Sequence, residues 1–247
     1  MPRRLAVFDL DGTVFRWQLD HAVMLELEDM GAIQGFRQAL RETYTNWKNR
    51  KHPESFGEYT TVFDVVTAQY LKAVPLATFS QAAQQVVNQS GERVHTYTRH
   101  LIADLRSQDY AIAAISGSLR QIVQPFAQFH GFDLWRGQDL GISGKYFAKP
   151  YGSFSPEQKG AYLLELCEAH GFALNGSVGI GDTMSDVSML LHVERPIVFN
   201  PDRELMRYAM RQGWRIVIER KNVVVQLTSQ DGRYGLDREL VLHLASA

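Results

Sequence analysis

The sequence predicts an α/β fold: a mainly parallel sheet flanked by helices, with an all-helical insertion directly after the first strand. Two features of the chain predict it. From about residue 92 onward, short apolar runs alternate with helix-length amphipathic stretches, the pattern of βαβ units. Between residues 15 and 91 the apolar runs vanish and only helical periodicity is left. The expected division is a core of residues 1–14 and 92–218, a helical subdomain at 15–91, and a C-terminal extension at 219–247 whose structure the pattern does not specify.

In order, Leu5-Ala6-Val7-Phe8 reads as a short buried strand. Four helices follow: Leu19 to Met30, Gly35 to Lys51 (closed by Pro53), Glu58 to Val74 (stopped by Pro75), and one opened by a capping box at Thr78-Phe79-Ser80-Gln81 that ends near Gly91. Val94 to Ser107 is helical. Tyr110 to Ile115 is a strand running into Ser116-Gly117-Ser118, and Leu119 to His130 is a helix despite Pro125. Asp133 to Trp135 makes a short strand, and Gln138 to Pro150 a hairpin or loop. Pro156 to His170 is a helix with proline in the favoured first turn and Gly171 just past its end. Strand, helix, strand, helix, strand then follow at Ser177–Ile180, Met184–His192, Pro196–Phe199, Asp202–Gln212 and Trp214–Ile218. Beyond them lie Val223-Val224-Val225 and Leu240-Val241-Leu242, as a strand pair or a strand and a helix.

Composition narrows the function. With 247 residues, 45% hydrophobic and 11% aromatic, the chain is large enough for a sizeable core. A net charge of −1 argues against a broad nucleic-acid footprint and against electrostatic attachment to a membrane. Cys167 is the sole cysteine, so neither an internal disulfide nor a thiolate zinc cluster can form. Its neighbours Leu163, Leu164 and Leu166 mark it as a buried structural thiol. The apolar run after Arg3-Arg4 is cut short at Asp9, unlike a signal peptide, and no stretch approaches the roughly 18 apolar residues of a membrane span. A soluble, cytoplasmic protein is expected.

Three strands each end in a polar group, and the carboxyl ends of parallel strands are where sites form. Asp9 and Asp11 end the first. Residues i and i+2 of an extended chain share a face, so the two like charges repel unless a cation or a catalytic proton lies between them. A solvated Asp-Gly turn is the plainer alternative. Ser116 and Gly117 end the second strand and open a helix, where a hydroxyl and a free amide suit a phosphate; a simple N-cap serine would look the same. Asp182 ends the third, with Asp186 four residues on and so on the same helical face, although acids there also complement the helix dipole. Together the four aspartates form an oxygen-only donor set suited to Mg²⁺ and poorly suited to zinc. Lys159, taken singly, reads as a surface lysine; a carboxylate nest that must accept a phosphate dianion needs such a charge nearby. The eight histidines lack metal spacings, and neither a P-loop nor a dinucleotide fingerprint is present.

In this order the pieces resemble the haloacid dehalogenase superfamily, and within it the subclass I, phosphoserine-phosphatase-like hydrolases. The matching motifs are Phe8-Asp9-Leu10-Asp11-Gly12-Thr13-Val14, the strand ending in Ser116-Gly117, Lys159 in Gln158-Lys159-Gly160, and Gly181-Asp182-Thr183-Met184-Ser185-Asp186. The stretch from Asn200-Pro201-Asp202 to Gly213-Trp214 also looks like that subgroup. The resemblance implies a Rossmann-like core with a helical cap and a Mg²⁺-dependent phosphatase of small phosphorylated metabolites. It implies Asp9 as the nucleophile that becomes an aspartyl-phosphate, and Asp11 as the acid and then the base. Mg²⁺ would be held by Asp9, the Asp11 carbonyl, Asp182 and Asp186, and the phosphoryl group by Ser116, the Gly117 amide and Lys159. Dehalogenases of the superfamily lack an acid at the position of Asp11, which favours ester hydrolysis over carbon–halogen cleavage. Phosphoserine phosphatases carry a cap glutamate shortly after the first motif. Here Arg16-Trp17-Gln18 stands in that neighbourhood, with no carboxylate until Asp20, so these three are candidate substrate contacts or cap–core packing, and phosphoserine is not implied. A phosphotransferase using the same intermediate and a non-catalytic phosphate-binding module are the alternatives. The cap is expected to open and close about hinges near Phe15 and Gly91.

Overall fold

A computed structural model describes residues 3–152, 155, 157–221 and 223–237. The chain enters through β1 (Arg4–Phe8) and then runs through α1 (Leu19–Asp29), α2 (Phe36–Lys48), α3 (Ser55–Leu71) and α4 (Leu76–Ser90). Next come α5 (Thr96–Ser107), β2 (Ala111–Leu119), α6 (Arg120–Phe129) and β3 (Leu134–Gln138), followed by the small hairpin β4 (Ile142–Ser143) and β5 (Tyr146–Phe147). The second half is α7 (Gln158–His170), β6 (Ala173–Gly181), a 3₁₀ turn at Met184–Asp186, α8 (Val187–Leu190), β7 (Arg195–Phe199), α9 (Arg203–Gln212) and β8 (Arg215–Arg220). It closes with β9 (Val223–Gln230) and β10 (Arg233–Leu236).

The main sheet has eight strands in the order β10-β9-β8-β7-β6-β1-β2-β3. The six from β3 to β8 are parallel, while β9 and β10 add an antiparallel edge. β1 is central because both faces of Leu5 to Phe8 are buried, as a strand covered by helices on both sides must be. Its alternation separates two cores. Ala6 and Phe8 face the cluster shared with α1, α3, α4 and α6; Leu5 and Val7 face the one formed with α7, α8 and α9. The inserted helices therefore do not bury a core of their own: Leu19, Val23, Phe63 and Phe79 join the same apolar body as Phe8 and Phe126. Phe15 and Phe126 meet edge to face at 5.5 Å across that junction. No helix among the described residues is long and apolar enough to cross a membrane.

Several elements depart from the sequence expectation. Thr78-Phe79-Ser80-Gln81 does not cap α4, which starts two residues earlier at Leu76. Pro75 supplies an extended entry at φ −62°, and the Leu76 N–H is satisfied by the Lys145 carbonyl of the β4–β5 turn at 2.8 Å. Ser116 and Gly117 do not open a helix. They lie within β2, and α6 begins only at Arg120. The single helix expected at Met184–His192 is a 3₁₀ turn followed by one turn of α-helix. The described part of the C-terminal extension forms the strand pair β9 and β10, whose pairing onto β8 depends on long-range contacts that local periodicity does not report. Pro156 and the run Leu240-Val241-Leu242 lie outside the described residues.

Candidate active site

Because β6, β1 and β2 are adjacent, their carboxyl ends bring Asp182, Asp9 and the Ser116–Ser118 segment to one edge of the sheet. The Asp9 N–H continues the ladder onto the Ile180 carbonyl at 2.9 Å, which fixes where that carboxylate begins. Gly12 then turns the chain at φ +84°, and a Cβ there would stand 2.1 Å from Asp182 Oδ2. The left-handed φ favours glycine at this position, and any side chain there would also push the Asp182 carboxylate out of place.

Lys159, in the first turn of α7, is buried with 4% exposure, unlike a surface lysine. Its Nζ donates to Asp9 Oδ1 at 2.6 Å and to Asp186 Oδ1 at 2.5 Å. Asp186 is fully buried, and its Oδ2 accepts the N–H groups of Asp182 and Thr183 at 2.9 Å each. Among the described residues, carboxylate oxygens of Asp9, Asp182 and Asp186 come within 4.8 Å of one another. Burial pushes the Asp9 carboxyl up to about 8 even though Lys159 pulls it down. Asp182 is pushed well above the ordinary range by burial and then by Asp9 and Asp186. Burial opposes the charge on Lys159, but Asp186 and Asp9 outweigh it and hold the ammonium above its usual value.

Asp11 is turned toward a different set of partners. Its Oδ1 accepts the Leu19 N–H at the start of α1; its Oδ2 accepts the hydroxyls of Ser116 at 2.6 Å and Ser118 at 2.9 Å. Burial raises this carboxyl, and these three donors oppose the rise. Ser116 is fully buried and also accepts the Ser118 N–H at 2.9 Å. Its hydroxyl is thus bonded to Asp11 and is no helix cap.

A cavity of about 610 Å³ opens over this edge. Asp9, Asp11, Gly12, Gly117, Ser118, Lys159 and Asp182 line its floor; Arg16, Trp17, Gln18 and Asp20 line it from the first motif's exit. Trp47, Phe56, Phe63 and Tyr151 complete an aromatic wall. Ser116 and Asp186 lie beneath the surface of the cavity, each bonded to a residue that lines it. Sequence reasoning did not single out Ser118, Tyr151 or the wall residues. Ser118 was within reach as the second serine of Ser116-Gly117-Ser118, but Trp47, Phe56 and Phe63 carry only core-like helical periodicity.

Carboxylates and a lysine gather at the carboxyl ends of a parallel sheet, under a helical layer inserted after the first strand, the setting of an α/β hydrolytic site. The model of the haloacid dehalogenase-like hydrolases matches residues 6–191, and the chain belongs to that family. It is 26% identical over 233 residues to the inhibition of morphological differentiation protein of Streptomyces azureus, covering 88% of this chain and 79% of the relative. It is 24% identical over 229 residues to a histidinol-phosphatase of Neisseria meningitidis, covering 87% of this chain and 98% of the relative. Among solved structures, a phosphoserine phosphatase captured as an analogue of its phospho-aspartyl intermediate superposes with a TM-score of 0.59 at 18% identity, over 90% of this chain and 95% of the other. By family the chain is a haloacid dehalogenase-like hydrolase, and its fold is that of this phosphoserine phosphatase structure.

Proposed function

We propose that this hydrolase is a Mg²⁺-dependent phosphatase that passes the phosphoryl group of a small-molecule monoester to Asp9 and then to water. One observation carries the reading: a nest of three carboxylates (Asp9 and Asp186 buried, Asp182 half-buried) and one buried ammonium lies beside a fourth carboxylate, Asp11, that is bonded elsewhere. Two adjacent carboxylates in different environments can take different roles.

The residues fit a hard divalent cation. The donor set is oxygen only, Asp9 Oδ2 is buried without a hydrogen-bond partner, and one ammonium can balance only one of the three carboxylates once they ionise. Asp9, Asp182 and the Asp11 carbonyl would hold it, with Asp186 in support. Bound Mg²⁺ would supply charge neutralisation between the carboxylates and the phosphate. In the first step an Asp9 oxygen forms a bond to phosphorus as the ester P–O bond breaks, and the Asp11 proton goes to the departing alcohol oxygen. In the second, water gives its proton back to Asp11 as its oxygen bonds phosphorus, and the Asp9–phosphorus bond breaks. Lys159 and the Gly117 amide stabilise the phosphoryl group in flight, while Ser116 and Ser118 hold Asp11.

Residues 15–91 act as the cap and supply the walls that meet the alcohol. The cavity's size and its rings at Trp17, Trp47, Phe56, Phe63 and Tyr151 support an alcohol with a planar or extended body, larger than serine. The likeness to a histidinol-phosphatase makes histidinol phosphate a first substrate to assay. A cytoplasmic setting fits the lone, buried thiol of Cys167. The test is phosphate release from para-nitrophenyl phosphate with and without Mg²⁺, beside Asp9→Asn. Mg²⁺-dependent turnover that falls at least roughly a thousandfold in the variant is expected. A folded wild type with no turnover across a broad ester panel would overturn the reading in favour of a phosphate-binding module. Full activity in Asp9→Asn would remove the nucleophile assignment. Phosphate appearing on added alcohols in place of water would make the enzyme a phosphotransferase.

A further inference from the structure

The amino end of α1 and the carboxyl end of β2 meet over Asp11, and Asp20 sits at that meeting. Its carboxylate accepts the Leu119 N–H, at 3.0 Å on Oδ1 and 3.2 Å on Oδ2, and Oδ2 also accepts the Tyr151 hydroxyl at 2.9 Å. Its own N–H donates to Ser118 Oγ at 3.3 Å. That Ser118 hydroxyl is the one that donates to Asp11 Oδ2, and the residue before Asp20 is Leu19, whose N–H donates to Asp11 Oδ1. Each oxygen of Asp11 is therefore held from a different element, one from α1 and one from β2. A carboxylate gripped that way keeps its plane only while the two elements keep their spacing.

Asp20 sets that spacing. Its side chain crosses from α1 to the residue that ends β2, and Tyr151 braces it from the segment after β5. Asp20 is 4% exposed, and burying a carboxylate is costly unless it is bonded; here three bonds hold it where an apolar side chain would pack without that cost. We infer that Asp20 is a positioning residue for the proton transfer made by Asp11. It clamps the helical insertion onto the core so that Asp11 faces the leaving oxygen, and the clamp exists only while α1 lies against β2. The inference rests on the reading of Asp11 as the acid given above.

The two esters to compare are para-nitrophenyl phosphate, whose phenolate departs without a proton, and phenethyl phosphate, whose alkoxide needs one. The readout is kcat/KM, which reports the steps through departure of the alcohol and not the later attack of water. Asp20→Ala is expected to lower kcat/KM on phenethyl phosphate by roughly 10- to 100-fold and on para-nitrophenyl phosphate by no more than about threefold. Asp20→Asn, whose amide oxygen still accepts the Leu119 N–H, should recover most of the loss. Tyr151→Phe, which removes one brace, should show the same selectivity at smaller size, and it decides the matter if Asp20→Ala does not fold. Asp11→Asn is the reference and should discriminate between the esters most strongly. Equal losses on both esters in the Asp20 and Tyr151 variants, with Asp11→Asn still selective, would overturn the positioning role and leave the phosphatase reading intact. An unselective Asp11→Asn would instead remove the acid assignment, and the role of Asp20 with it.

Discussion

The floor and the wall of the cavity are built on opposite principles. On and beneath the floor Lys159, Asp9, Asp186 and Asp11 are held by directional bonds: Lys159 to Asp9 and Asp186, two N–H groups to Asp186, two hydroxyls and an N–H to Asp11. On the wall the contacts are ring against ring. Trp17 lies parallel to Tyr44 at 6.4 Å, Trp47 stacks on Tyr59 at 4.8 Å, and the Lys48 ammonium sits 4.7 Å from the Trp17 ring centre and 4.4 Å from that of Trp47. Behind them Trp17 Nε1, His21 Nδ1 and the Tyr59 hydroxyl are buried without a hydrogen-bond partner, and burial, then Lys48 and Arg37, holds His21 neutral at about 4. A bonded charge network tolerates little change, because removing one member leaves another buried and unpaired. A ring surface is non-directional and tolerates exchange. The first suits a reaction that never varies; the second suits a choice of substrate that does.

The contrast can be broken or sharpened by substitution. Lys159→Met should have the largest effect, since it leaves Asp9 and Asp186 buried without their cation. Urea unfolding in the presence of EDTA should show a loss of about 3–5 kcal/mol, together with loss of turnover. A variant as stable as the wild type would mean that the floor is not a coupled network. Trp47→Ala should act on the other side alone, raising KM for ring-bearing esters roughly 3- to 10-fold with kcat little changed. A fall in kcat at constant KM would mean that the wall serves the chemistry and not the choice.

The smallest effect concerns the seam between the two. Burial, then the charge of Asp11, pushes the Asp20 carboxyl up to about 8 from an ordinary 3.8. The folded protein therefore binds this proton more tightly than the unfolded chain. The stability it contributes is complete below the ordinary value and is lost as pH rises through the raised one. Asp20→Asn should flatten the decline in melting temperature from about pH 5 to about pH 8.5 in EDTA, by a few degrees at the alkaline end. Parallel wild-type and variant profiles would show that Asp20 does not titrate in that window.

Much of the core was legible because its signals are local. A four-residue apolar run ending in Asp9, a strand ending at Ser116 and another at Gly181 each declare themselves within ten residues, and parallel topology does the rest by bringing strand ends to one edge. Lys159 was legible only in that company. Its sequence neighbourhood is that of an exposed helix start, and its burial comes from the charges of Asp9 and Asp186, which lie 150 and 27 positions away. Ser116 was found, but for a different contact, because a strand end and a helix start look alike when a Ser-Gly-Ser stretch lies between them. The helices of the insertion were visible, yet which of their rings face the cavity was not. Trp47 and Phe63 satisfy the same amphipathic pattern as the rings buried behind them.

The amino-acid order by itself determined the α/β architecture, the place of the helical insertion and the aspartates of the two glycine-bearing motifs, since these follow from periodicity, turn chemistry and chain direction. Only the tertiary structure decided which partners those aspartates take. Asp9 meets Lys159, and Asp11 meets two serines and the first turn of α1. Asp20, unremarkable as the second residue of a helix, becomes the clamp between insertion and core. The physical reason is range: strand and helix formation are settled by neighbours along the chain, whereas hydrogen-bond partners and burial are settled by whatever the fold brings within 3 Å.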